Sequence, residues 1–506
     1  MKKLTSILLA VLMLLTVTPL RGAVAEEPVE LDIFINESWW PIDTFTGIIP
    51  EAIQAATGVK LNVTVCTDDN QLGLMIASND LPDLIFTQKE LNRLSDEKVC
   101  YSYDELLEQY PSEFQFGDQQ KAIGRSLSAD GKYYCVLNCY NTAEEWASAP
   151  IAPGQACMFY RKDLYEAIGS PKLENLDDFL TVCGMIQEKY PDIIPFELGG
   201  FWKLQNFSAW TGAAGNNTYQ QLDDGSVVYA SSSPAYKDFL TYANTLARKG
   251  YITVESYANE DEANSSAIAY GGKCFAYCWY LKPDACLDVL NAESQKIDPS
   301  IEWTVLPALG GEHAEFGTSK GWCGTFVSKK CKDPEAATRL ITFLFSEEGR
   351  RLSKWGREGV EYTMDENNMP VWTDEWMEAT KDSNLMNQKY NQYFYLGASN
   401  IEDLLPGYVG LDAENLAAFS TYKQGYKMYP EIGIAVPVST SDEGIIETKL
   451  TEMLKPQVAK VIFSETDEEF EKNYEELQSK ATQIGVEKLN AYMTENVKKI
   501  RDEFGF

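Results

Sequence analysis

The chain has 506 residues, 44% hydrophobic and 12% aromatic, with 76 acidic against 43 basic side chains. That length exceeds one ordinary domain and implies two or three packed units with real cores, which excludes a disordered chain. The formal net charge of −33 argues against nucleic acid and anionic membrane surfaces as partners and disfavours polyanionic ligands.

Taken from its start, the chain opens on Met1-Lys2-Lys3 and an apolar run at 4–15, followed by Ala23-Val24-Ala25 ahead of Glu26. This reads as a secretory signal over residues 1–25 with a small-residue cleavage site. The run is too short for a convincing transmembrane helix, and an uncleaved anchor is the alternative. A strand is expected at Val29–Ile35, a helix at 48–56 ending at Gly58, and a second strand at 59–66. A short helix at Gln71–Ser78 and a third strand at 81–86, fully apolar after its Asp83, complete a doubly wound α/β opening. In such sheets ligands sit beyond the carboxyl ends of the strands, which singles out 36–40 and 87–90.

Asp130-Gly131-Lys132 is a turn leading into a strand at 133–137, and a loop at 141–155 precedes a strand at 156–160. Helices follow at 161–168 and 177–189. The tract 199–210 is polar and aromatic without clean periodicity. Asp223-Asp224-Gly225 turns a hairpin, and Ser233-Pro234 opens a long amphipathic helix that stops at Gly250. Strands are expected at 271–280, ending on Trp279 and Tyr280, and at 301–306.

The stretch 321–362 then gives an apolar run at 322–327 and a helix with Asp333 as N-cap, Pro334 at its first position and Gly349 as its stop. A glycine-punctuated return runs through 356–359, where the chain is expected to bend, particularly at the Gly-flanked Glu358. Residues 365–506 are mostly helical in pattern, clearest at 445–462 and Asp467–Ile484, with Gly485 as a C-cap. There is no internal repeat and no low-complexity linker, so the units must be interleaved and joined by short crossings.

Eleven cysteines leave at least one unpaired, and no repeated Cys-x-x-Cys framework accompanies them. Buried free thiols are the expected state. A single histidine, His313, leaves zinc sites and Ser-His-Asp catalysis without their residues, so no metal and no cofactor is expected.

The order of these features resembles the family 1 extracellular solute-binding proteins of bacterial ABC importers, particularly the larger oligosaccharide-binding members. The resemblance is carried by Leu31-Asp-Ile-Phe-Ile-Asn-Glu-Ser, Ala56-Thr-Gly-Val-Lys60 and Asp80-Leu-Pro-Asp-Leu-Ile-Phe86. Asp130-Gly-Lys-Tyr-Tyr134, Met158-Phe-Tyr-Arg-Lys-Asp-Leu164 and Gly356-Arg-Glu-Gly-Val-Glu-Tyr362 add to it. It implies an α/β type II periplasmic-binding fold, two interleaved doubly wound lobes joined by a multi-strand hinge. The lobes would comprise 26–135 with 316–358, and 140–312 with 363–506. The first cysteine is Cys66, so no lipobox follows the signal, and the protein is expected to be exported and released or held by other means.

Sugars are gripped by aromatic faces and by side chains that satisfy hydroxyls. The resemblance places candidate ligand contacts at Asn36, Glu37, Trp39 and Trp40 after the first strand, and at Thr87 and Glu90 after the third. Trp202, Trp279 and Tyr280 are the second lobe's candidates, with Trp279 foremost. Tyr280 should face the opposite way from Trp279 in a regular strand. Trp322, Trp355 and Glu358 are candidates at the crossings. The expected function is a monomeric receptor that closes over a carbohydrate and presents it to ABC permease subunits in the membrane, without catalysis. The rivals are capture of a peptide, an amine or another non-sugar solute, a secreted glycoside hydrolase, and a structural surface protein.

Overall fold

The computed structural model describes residues 27–504 apart from residues 41, 69, 150, 152–155, 215–218, 260–261, 281–282, 310–314, 318–319, 367–368, 381, 392–394, 410, 424–425 and 439. The expected signal at 1–25 and His313 lie outside the described residues. Two principal sheets organise the rest. In the first, Val29–Ile35 pairs in parallel with Val59–Val65 on one side and Leu84–Thr87 on the other. The helix Ile48–Thr57 makes the first crossover and ends at Gly58, whose φ of 69° suits a residue without a β-carbon.

Gly324–Ser328 returns from far along the chain to enter this sheet antiparallel to Leu84–Thr87, and also pairs with Cys100–Tyr101 and Val136–Leu137. Gly324 is required there: a β-carbon would lie 2.2 Å from the Cys135 sulfur. The second sheet has four strands in the order Trp303–Leu306, Ala156–Arg161, Cys274–Tyr280, Ile194–Glu197. Helices Leu176–Lys189 and Pro234–Arg248 cover it together with Asp442–Ile462, whose Leu450, Leu454 and Val458 share a core with Phe239 and Leu240. Gly485, at φ 113°, separates Asp467–Ile484 from the last helix, Val486–Phe504.

Three segments run between the halves and meet at Asn138, which is fully buried. Its backbone N–H donates to the Cys323 carbonyl (3.0 Å), and its carbonyl accepts from Trp322 (3.0 Å). Its side-chain oxygen accepts from the Cys323 N–H (2.9 Å), and its Nδ2 donates to the Tyr395 carbonyl (2.7 Å). Cys139 N–H adds a bond to the Ala398 carbonyl (2.6 Å). Gly321 fits only as glycine, since at φ 96° a β-carbon would sit 2.6 Å from the Asn138 carbonyl.

Several expectations need correction. Asp333 caps its helix by accepting from Ala336 N–H, but the helix ends at Phe345, not at Gly349. Ser346 starts a second helix, Glu347–Trp355, and Gly349 lies inside it because a β-carbon would come 1.9 Å from the Phe343 carbonyl. The aperiodic tract contains a helix, Phe201–Ser208. Gly356–Gly359 is no free bend: Glu361 grips Arg357 through its backbone N–H (2.7 Å) and its guanidinium (2.6 and 3.0 Å). Beyond it the chain stays beside the first half, since Asn391 donates to the carbonyls of Thr44 (3.2 Å) and Thr46 (3.3 Å). All eleven cysteines are free thiols, and all but Cys139 are buried. Among the described residues no helix is long and apolar enough to cross a membrane, and no group of three acidic, cysteine or histidine side chains is placed to hold a metal.

Candidate functional site

The loops after the first and third strands meet, as their parallel pairing requires. Asn36 Nδ2 donates to Thr87 Oγ1 (3.0 Å), and Thr87 Oγ1 donates to the Lys89 carbonyl (3.0 Å). Asn36 and Thr87 are both buried, so they fix the loops to one another. Glu37 is also buried. Its carboxylate accepts from Trp39 Nε1 (3.0 Å), Gln88 Nε2 (2.9 Å) and the Gln88 backbone N–H (3.4 Å). Those donors satisfy a buried charge and make Glu37 the organiser of the loop. The Cys323 thiol also points at Glu37 (3.5 Å), and burial followed by that carboxylate's charge pushes its pKa well up.

Above this polar floor stand the aromatics. Trp39 is 52% exposed. Its ring lies 5.7 Å from that of Trp40 and 5.8 Å from that of Trp322, tilted by 44° and 32°. Trp40 is buried on Phe86 (5.6 Å), and Trp322 stands edge to face with Phe86 (6.0 Å). Trp322 Nε1 donates to Gln88 Oε1 (3.2 Å), so Gln88 ties the Trp322 ring to the Glu37 carboxylate. Tyr395 closes the cluster, 6.0 Å from Trp40 and 6.3 Å from Trp322. The result is an open indole face backed by buried rings, with amides and a carboxylate at its rim. Such a surface offers stacking to an apolar ring face and hydrogen bonds to hydroxyls.

A second cluster lies on the other sheet. Tyr277 and Trp279 share one face of Cys274–Tyr280, their rings 5.5 Å apart, and Tyr270 lies 6.3 Å from Trp279. Trp279 is 8% exposed. The buried Lys203 donates from Nζ to Tyr277 OH (2.9 Å) and lies 4.7 Å and 5.7 Å from the centres of the Tyr277 and Trp279 rings. Ser265 and Ser266 hydroxyls stand 3.2 Å and 3.4 Å from Tyr277 OH. Nearby Glu197 has its pKa raised by burial, opposed by hydrogen bonds from Ser256 and Gly199 and by the Lys203 charge.

The sequence candidates thus divide. Asn36, Glu37, Trp39, Trp40, Thr87 and Trp322 form one cluster; Trp279 belongs to the other. The side chains of Trp202 and Tyr280 lie outside the described residues. Glu90 is not brought to the cluster; it is paired with Arg93 (3.0 Å), which reaches back to the Gly73 carbonyl. Trp355 is buried in a knot with Tyr362 (5.5 Å) and Trp372 (5.8 Å), and its Nε1 donates to the Glu402 carbonyl (2.9 Å). It is core, and Glu358 is exposed on the turn beyond it. Sequence reasoning singled out the 87–90 loop without naming Gln88, and it missed Tyr395, Lys203 and Tyr277. Period-two alternation back from Trp279 would have found Tyr277. Tyr395 carries no local signal. A separate cleft of about 390 Å³, bordered by Tyr140, Glu145, Phe345, Arg350 and Ser399, contains none of the candidates.

Residues 39–351 match the model of a family described as bacterial extracellular solute-binding protein. No curated protein sequence matches the chain. Solved structures are similar along nearly its whole length. The alginate-binding protein AlgQ2, solved without calcium ion, is 17% identical with a TM-score of 0.65, over 94% of this chain and 98% of that one. The Streptococcus pneumoniae ABC-transporter substrate-binding protein FusA, solved with kestose, is 15% identical with a TM-score of 0.67, over 94% of this chain and 100% of that one. An HMO-binding, ABC-transporter-associated solute-binding protein from Bifidobacterium longum infantis is 12% identical with a TM-score of 0.65, over 93% of this chain and 98% of that one. At these identities the likeness is one of fold.

Proposed function

The chain belongs to the bacterial extracellular solute-binding protein family, and on that premise we propose that it captures an oligosaccharide for an ABC importer. The observation that carries this reading is the half-open Trp39 face, seated on Trp40 and Trp322 above the Glu37–Gln88 pair. The two lobes of the reading are 26–135 with 316–358, and 140–312 with 363–506. Trp279, with Tyr277 and Lys203 behind it, is the second lobe's contribution. Closure is a population shift stabilised by a ligand that touches both lobes. Structural neighbours were solved in complex with kestose, fructo-nystose, Man1GlcNAc and cycloalternan, which supports a carbohydrate over a peptide or amine. The presenting partner is a permease in the membrane, and the receptor acts as a monomer without catalysis.

The test is a thermal-shift screen against neutral oligosaccharides including kestose, followed by calorimetry and chromatography of the recovered sugar. The expected result is a saturable rise in Tm with the sugar recovered intact. Hydrolysed sugar sinks the receptor reading in favour of a glycosidase, and absence of any saturable binding sinks the carbohydrate assignment.

A further inference from the structure

We propose that Lys354 is a positioning residue of the carbohydrate site: paired with Asp403, it holds the Tyr395 ring against Trp322 and Trp40 and so sets the shape of the aromatic platform. The proposal rests on the reading of that platform as the ligand's seat. Lys354 lies on the helix Glu347–Trp355, and its side chain is only 5% exposed. Its Nζ is 2.8 Å from Asp403 Oδ1, on the helix Asn400–Tyr408, where the aspartate is 15% exposed. The same ammonium stands 3.2 Å from the centre of the Tyr395 ring.

Withdrawing a lysine from water is unfavourable unless its charge is matched. Asp403 matches it, yet a methionine would fill similar space without needing a partner. What the charge adds is attraction to the negative face of a ring. The Tyr395 carbonyl accepts from Asn138 Nδ2 (2.7 Å), which ties the backbone there, and the ammonium adds a contact on the ring itself. With the ammonium on its face, the ring stands at 87° to Trp322 and 73° to Trp40. Those two indoles are the ones on which the exposed Trp39 rests. The line Asp403–Lys354–Tyr395–Trp322–Trp39 therefore runs unbroken from a buried ion pair to the open face.

The experiment compares Lys354→Met, Lys354→Arg and Asp403→Asn in the full-length protein. Near-UV circular dichroism of the ligand-free protein reports the tryptophan cluster, calorimetry with kestose reports binding, and Tm reports folding. Lys354→Met is expected to alter the tryptophan bands and weaken binding about tenfold. Asp403→Asn should act in the same direction, and Lys354→Arg, which keeps charge and ring contact, should restore both readouts to within about threefold. A Lys354→Met protein with wild-type bands and affinity, or one that loses Tm alone, overturns the proposal. Should the wild-type protein bind no carbohydrate, the reading of the site fails, while the tryptophan bands of the ligand-free variants still decide whether Lys354 shapes the cluster. If Lys354→Met does not fold, Asp403→Asn decides by the same two readouts.

Discussion

Trp39 and Trp355 separate binding from folding within one residue type. Trp39 leaves half its surface open, so truncation removes a stacking face and little core. Trp39→Ala is expected to weaken oligosaccharide binding by about tenfold or more while changing stability by less than about 1 kcal/mol. Trp355→Ala should instead lose about 3–5 kcal/mol in denaturant titration and leave the affinity of the folded protein unchanged. Wild-type affinity in Trp39→Ala would remove the platform from the site. Nothing local in the sequence separates the two, because what distinguishes them is Tyr362 and Trp372 arriving on one and Trp322 on the other. Glu402 gives a pH-dependent counterpart. Burial raises its pKa, opposed by the Arg350 guanidinium. A carboxyl raised in the folded state stabilises the fold below its unfolded pKa, and that contribution is lost as pH rises through the folded value. The Tm of Glu402→Gln relative to wild type should therefore grow between about pH 4 and pH 7, and a constant difference would refute the assignment.

At the scale of elements, legibility followed how local the determining chemistry is. Asp333 and Pro334 mark a helix start because capping is settled within one turn, and the structure places the Asp333 carboxylate on the Ala336 N–H as expected. The end of that helix was not legible. Gly349 reads as a stop, yet its lack of a side chain serves the packing of one helix end against the next, with Ser346 accepting from Gly349 N–H to restart the chain. Gly349→Ala would force a β-carbon onto the Phe343 carbonyl, and its stability in denaturant titration should fall well beyond the roughly 1 kcal/mol that loss of the Ser346 cap in Ser346→Ala represents. Equal losses would mean that the junction yields. Phe201–Ser208 escaped notice for a different reason. Lys203 and Ser208 are buried beside Phe201 and Leu204, so the residues the helix buries do not read in the sequence as an apolar stripe.

For the whole molecule, the question is where the two sheets are joined, and there local signals mislead. Gly356 and Gly359 suggest a bend, but that turn is locked by the Arg357–Glu361 pair, and the crossings converge on Asn138. Nothing in the sequence around Asn138 announces that three distant segments share one amide. Its side chain accepts from Cys323 and donates to Tyr395, so Asn138→Ala strands the buried Cys323 N–H, costing about 1–3 kcal/mol, and leaves the Tyr395 carbonyl with the longer bond from Ala398 N–H (3.4 Å). Asn138→Asp keeps the acceptor for Cys323 but replaces the donor to Tyr395 with a buried carboxylate oxygen that repels that carbonyl. If these bonds hold the halves in register, the alanine variant in its folded state should give a larger radius of gyration by small-angle scattering than wild type. Its sugar-induced contraction should be larger too, and the aspartate variant, which breaks the same contact to Tyr395, should move in the same direction. If all three proteins scatter alike with and without sugar, the crossings are held by the Cys139 and Trp322 backbone bonds alone, and Asn138 matters only for stability.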